Sequence, residues 1–240
     1  GGCSWDMEQT HQSIRRNFLE EAYEAVEAID NNDLDGLKEE LGDVLLQVMF
    51  HTSIEEDAGT FTLDDVADGV CKKLIYRHPH VFGDVTVHST GEILSNWEEL
   101  KKKEKGQATQ ADAVDAVART LPALWRAEKM KKKAAKAGFD WRTIAGALDK
   151  LSEELDELRA AALDGSGDPA EELGDLLFAA VCAARFLDTD PEDALHAACD
   201  TFSIRVRRPE QLAGSRGLRL DELSDTEQIA LWNEAKEHPQ

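Results

Sequence analysis

Cysteine is scarce in this chain. Four residues in 240, Cys3, Cys71, Cys182 and Cys199, stand in no CxxC or other metal-ligand spacing. That leaves no thiolate metal site to expect, and Cys182 and Cys199, in apolar helical context, read as reduced core residues of a cytosolic protein. Positive charge is also short, with 27 Lys and Arg against 49 Asp and Glu for a net charge of −22. Nucleic-acid polymers and anionic membranes need cationic contacts, so this charge opposes both as partners, whereas it does not oppose a small phosphate ligand arriving with a metal ion. There is no secretory leader pattern and no apolar run of about 18 residues, so no membrane span is expected. No segment alternates with period two, which argues against sheet. A P-loop, a GxGxxG turn and a framed Ser or Cys nucleophile are all missing. Glu8-x-x-His11 is a lone Glu-x-x-His, where a di-iron carboxylate bundle needs two. His78-Pro79-His80 offers two imidazoles on a connection, without the Cys or carboxylate set of a zinc site. The chain opens Gly1-Gly2 without methionine and is read as lacking an upstream segment.

What is present is acid placed with regularity. Leu19 to His51 reads as two helices joined by Asn31, Asn32 and Asp33, the last a natural N-cap. Glu21 and Glu24 share a face of the first helix, and Glu40 and Asp43 a face of the second. A short connection makes such helices antiparallel neighbours, which can bring the four carboxylates together. Asp43 is the only charge in LGDVLLQVMF, a run apolar nearly all round and therefore expected to be buried. A buried carboxylate needs a cation, and with more carboxylates beside it a divalent metal is the economical one. Oxygen-only ligands favour Mg²⁺, with Mn²⁺ or Ca²⁺ fitting the same donors. The pattern then recurs: Glu154 and Glu157 lie 133 residues beyond Glu21 and Glu24, and Glu172 and Asp175 lie 132 beyond Glu40 and Asp43. WEELK at Trp97–Lys101 returns as WNEAK at Trp232–Lys236. Solvated faces have no reason to repeat this closely, so the chain is read as two similar halves.

The spacing predicts an all-α protein of two tandem domains, 1–103 and 120–240, joined by a polar linker over 104–119. Asp6 is expected to cap a first helix. Thr62 with Asp65, Ser89 with Glu92, and Ser224 with Glu227 read as helix-opening capping pairs. HPHVF is expected as an irregular connection, and 209–223 as a loop because Pro209 cannot continue a helix. Cations able to grip phosphate are Lys73, Arg77 and Lys101 in the first half, and Arg205 and Lys236 in the second. Trp97 and Trp232 either stack on a base or pack in the core.

These residues carry a resemblance. EExxE followed by ExxD, as Glu20-Glu21-x-x-Glu24 with Glu40-x-x-Asp43 and as Glu153-Glu154-x-x-Glu157 with Glu172-x-x-Asp175, resembles the MazG family of all-α nucleoside triphosphate pyrophosphohydrolases. GGCSWDMEQTH, HPHVF, WEELKKKE, LPAL and GFDW are further family-like strings, so that matches run from Gly2 to Lys236. The resemblance implies a four-helix core per catalytic unit, a homodimer, and hydrolysis of nucleoside triphosphates to monophosphate and pyrophosphate in cleansing of nucleotide pools. It implies Mg²⁺ on Glu21, Glu24, Glu40 and Asp43, with Glu20 helping as base, and a second set on Glu154, Glu157, Glu172 and Asp175.

The halves are not equal. Where the family's second half commonly reads ANEKFxRR, this chain reads ACDTFSIR, with Cys199 and Thr201 in place of Asn and Lys. The first half, with Lys73, is expected to be the better site. Two other readings stand beside the enzyme: a nucleotide- and metal-binding regulatory module without turnover, and a helical interaction protein without metal.

Overall fold

The computed structural model describes residues 2–237, with side chains for 2–235; the side chain of Lys236 lies outside the described residues. Among the described residues there are twelve α-helices and no strand. They fall into two compact units, Gly1–Lys105 and Gly106–Gln240.

The first unit is built on a helical hairpin. After a short α1 (Ser4–Met7), α2 (His11–Asp30) opens on a capping box between Thr10 and Ser13, not on Asp6 as expected. A threonine with a hydroxyl three residues on satisfies two orphan amides reciprocally, which Asp6 is placed too early to do. Asn32, in the left-handed region at φ 54, turns the chain, and Asp33 caps α3 (Leu34–Asp57) through the Gly36 amide. Thr62 and Asp65 form the expected box for α4 (Leu63–Arg77). HPHVF is not irregular: Pro79 pre-sets the first turn of a short helix, α5 (Pro79–Phe82). Ser89 caps α6 (Thr90–Glu104), with Glu92 accepting from the His88 amide.

α3 corrects an expectation. It packs along α2, touches α4 and meets Trp5 of α1 at Phe50, but these neighbours cover only part of its circumference. Leu41 and Leu45 are 56% and 58% exposed, and Leu46 and Met49 are exposed beside them. Its buried residues, Gln47 and Thr52, are polar, so α3 is not the fully buried rod its apolar sequence predicts.

In the second unit, 110–115 is helical where a linker was expected. Thr109 and Asp112 make a capping box for α7 (Gln110–Asp115), and Ala113 and Val117 bury against α8 (Ala123–Lys136). Past α8, GFDW is a clamp. Lys131 donates to the Phe139 carbonyl at 2.9 Å, pairs with Asp140 at 3.3 Å, and lies 4.1 Å from the Trp141 ring. The hairpin then recurs as α9 (Ile144–Asp164), capped by Thr143, and α10 (Pro169–Ala184), capped by Asp168. Ala147, Glu154 and Ala161 fall seven apart and form one buried stripe on α9. Cys182 is buried as expected, but Cys199 is exposed.

α11 (Pro191–Ser215) continues through Pro209, where a loop was expected. Pro209 and Ala213, one turn apart, are both buried on a helix that packs against α12 (Asp225–Glu237), and this packing outweighs the hydrogen bond proline forfeits. The chain turns only at Gly217, at φ 69.

Candidate metal centre

The α2/α3 hairpin positions the first carboxylate set. Oxygens of Glu21, Glu24 and Glu40 lie within 4.8 Å of one another, with Glu21 and Glu40 half-buried and Glu24 exposed. Partial burial raises the Glu21 carboxyl above the usual carboxylate range, and the charges of Asp43, Glu24 and Glu20 push it further. Glu40 is raised in the same way, by partial burial first and then by Glu24, Asp43, Glu21 and Glu39. Asp43 stands half-buried one turn beyond Glu40 and acts on both by its charge, but it is not among the three converging groups. Glu20 is exposed and faces Glu21 electrostatically. Mutual repulsion among hard oxygen donors, with no nitrogen or sulfur among the converging groups, is what a Mg²⁺-type ion relieves. The residues therefore fit such an ion.

The α9/α10 hairpin repeats the set with a difference. Glu154, Glu157 and Glu172 converge within the same 4.8 Å, with Glu154 buried at 6% exposure. Lys150, one turn before Glu154, places its Nζ 2.8 Å from Glu154 Oε1 and 2.6 Å from Glu153 Oε1. Those bonds raise the lysine above its ordinary value. Glu157 is raised too, first by its hydrogen bond with Glu154. Asp175, by contrast, is exposed and outside the converging set. The sequence reading overlooked Lys150, although an (i, i+4) lysine before a glutamate is a legible pair. At the matching place in the first unit stands Asn17.

The expected phosphate-gripping residues are distributed unevenly. Lys73 and Arg205 are exposed. Arg77 is buried at 7% exposure, bonded to Glu104 and stacked 5.2 Å from Trp97. Lys101 also lies over the Trp97 ring, 4.9 Å from its centre. Trp232 is half-buried and packs at a tilt on Phe202, 6.0 Å between ring centres. A cluster the sequence reading missed joins α2 to α3: His11 Nδ1 is 2.7 Å from His51 Nδ1, and His11 Nε2 is 2.5 Å from Glu55 Oε1.

Comparison with known proteins decides the family. The chain is 41% identical over 238 residues to a nucleoside triphosphate pyrophosphohydrolase of Escherichia coli, covering 98% of this chain and 90% of that protein. It is 43% identical over 238 residues to the nucleoside triphosphate pyrophosphohydrolase/pyrophosphatase MazG of Thermotoga maritima, covering 98% and 89%. The chain belongs to the MazG family. The family model, described as the MazG nucleotide pyrophosphohydrolase domain, matches residues 9–82, which hold the first carboxylate set. The uncharacterized protein YabN of Bacillus subtilis is 46% identical over 241 residues, which make up 98% of this chain and 48% of that protein. MazG membership agrees with the all-α architecture, and no described helix is long and apolar enough to cross a membrane.

Proposed function

We propose that this MazG protein hydrolyses nucleoside or deoxynucleoside triphosphates to the monophosphate and pyrophosphate, in the cytosol, as a guard of the nucleotide pool. The observation that carries the reading is the convergence of Glu21, Glu24 and Glu40 in the segment that matches the family's catalytic domain. Mg²⁺ would be held by Glu21, Glu24 and Glu40 with Asp43 one turn on, and Mn²⁺ fits the same donors. When bound, the ion supplies positive charge to the triphosphate and to the leaving oxygen.

The chain's own residues do the rest. Glu20, exposed beside Glu21, takes a proton from the attacking water. The water oxygen bonds to the α-phosphorus, the α–β anhydride bond breaks, and pyrophosphate leaves with the electron pair. Lys73, Arg77 and Lys101 bind phosphate oxygens, and Trp97 orients both Arg77 and Lys101. The net charge of −22 supports a small, metal-carried anion as substrate and opposes a nucleic-acid polymer.

For the second unit a specific observation favours the alternative of a binding module without turnover. Lys150 already pairs with Glu153 and Glu154 and offsets part of their charge, and Thr201 replaces the lysine that Lys73 supplies in the first unit. Glu154, Glu157 and Glu172, with Asp175 one turn on, would hold an ion there, and Arg205, Trp232 and Lys236 would contact a bound nucleotide. The exposed apolar face of α3 supports a homodimer, since a second copy is the partner whose matching face would cover Leu41, Leu45, Leu46 and Met49.

Chromatographic identification of the products from a panel of triphosphates with Mg²⁺ tests the reaction. Monophosphate and pyrophosphate are expected. Diphosphate and orthophosphate would overturn the choice of bond, and no product with any nucleotide would overturn the enzyme reading in favour of the binding module.

A further inference from the structure

Arg77 closes α4 with its guanidinium almost wholly buried, on a helix whose neighbouring residues 71–76 are all exposed. Burying a guanidinium requires partners, and α6 supplies them from one face. Trp97, Lys101 and Glu104 fall at i, i+4 and i+7. Glu104 Oε2 accepts from Arg77 Nε at 2.7 Å and pairs with Nη2 at 2.6 Å, while the Trp97 ring lies against the guanidinium. Both contacts use the side edge of the fork, formed by Nε and Nη2. The end edge, formed by Nη1 and the second Nη2 hydrogen, is the edge left to clasp an oxyanion.

We propose that Glu104 is a positioning residue: it holds Arg77 by its side edge so that the end edge is fixed for a phosphate of the substrate. This rests on the reading that Arg77 grips phosphate. A free arginine would have to surrender rotamer freedom on binding, and a carboxylate plus an aromatic face remove that cost beforehand. Counted from the repeated tryptophan, the place of Glu104 falls in the second half on Pro239, a residue type with no side-chain acceptor.

The test uses the full chain carrying Glu157→Gln, so that the first unit is read, and two measurements: steady-state kinetics with Mg²⁺, and the Kd of a non-hydrolysable triphosphate analogue by calorimetry. Glu104→Ala should raise KM and the analogue Kd about tenfold with kcat within about twofold, since uniform binding is what it removes. Glu104→Gln, which keeps a carbonyl acceptor, should recover most of the loss. In an Arg77→Met background, Glu104→Ala should have no further effect on Kd. If Arg77→Met leaves KM and Kd unchanged, the phosphate-gripping reading falls and the proposal with it. If Arg77→Met weakens binding but Glu104→Ala only lowers the melting temperature, Glu104 is structural and the positioning role alone is overturned.

Discussion

Lys150 Nζ lies 2.8 Å from Glu154 Oε1, so the second carboxylate set carries a cation of its own where the first has Asn17. Two hairpins of the same build therefore differ in how they balance charge. In the second unit the ammonium offsets part of the repulsion among Glu154, Glu157 and Glu172, and in the first unit the matching position offers an uncharged amide.

Removing that ammonium isolates a buried carboxylate. Lys150→Met is expected to lower the melting temperature of the metal-free protein by about 5 °C or more, because Glu154 loses its buried partner. It is also expected to enlarge the rise in melting temperature on adding Mg²⁺, since the ion no longer competes with the lysine. Scanning calorimetry with chelator and with Mg²⁺ reads both effects. An unchanged metal-free melting temperature would contradict the assignment.

Proton and metal compete for the first set. Glu21 and Glu40 have folded values above the ordinary 4.5, so the folded state binds protons more readily than the unfolded chain. The stability they contribute is complete below pH 4.5 and is lost as pH rises through the raised values. Above that window the carboxylates are charged, repel one another and await a cation. The rise in melting temperature on adding Mg²⁺ should accordingly be larger at pH 8 than at pH 5, and Glu24→Gln should shrink it at pH 8.

His11 and His51 give the opposite sign. Glu55 only accepts, so His11 Nε2 carries the hydrogen; in neutral His11 the bare Nδ1 then accepts from His51. Burial first, and the His11 charge second, lower His51 below its ordinary 6.5. A lowered histidine contributes stability above pH 6.5 that is lost as pH falls through the folded value. Glu55, lowered by hydrogen bonds from Thr60 and His11, adds a loss at lower pH. His51→Gln should reduce the melting temperature at pH 7.5 and flatten its fall between pH 7 and pH 5.5; a fall of unchanged steepness would show that another group carries it.

The α3 face predicts association. Leu45→Glu, at an exposed position of the apolar stripe, should convert a dimer to a monomer in analytical ultracentrifugation while leaving the helix content unchanged. A wild-type monomer would remove the reason to cover that face with a second copy.

Much of this was legible in the sequence because it is local. Capping pairs such as Thr62 with Asp65, the Asp33 turn, and the (i, i+3) glutamates are set by helix geometry alone. Convergence of Glu21 and Glu24 with Glu40 followed from a short connection that forces antiparallel neighbours. What was missed depends on packing. α11 runs through Pro209 because Pro209 and Ala213 are buried, which no local rule reports. α3 is exposed on an apolar face because its coverage depends on what packs against it, not on its composition. Asp175 was matched to Asp43 by spacing, yet it is exposed while Asp43 is half-buried. The pairing of buried Arg77 with exposed Glu104 spans 27 residues and has no periodic signature.

The most direct measurement is turnover of Glu24→Gln and Glu157→Gln, each in the full chain with Mg²⁺. With hydrolysis at Glu21, Glu24 and Glu40, Glu24→Gln should lower kcat by about 10²-fold or more, while Glu157→Gln retains most activity. Loss of turnover in Glu157→Gln alone, with Glu24→Gln fully active, would contradict it and assign the chemistry to the second unit.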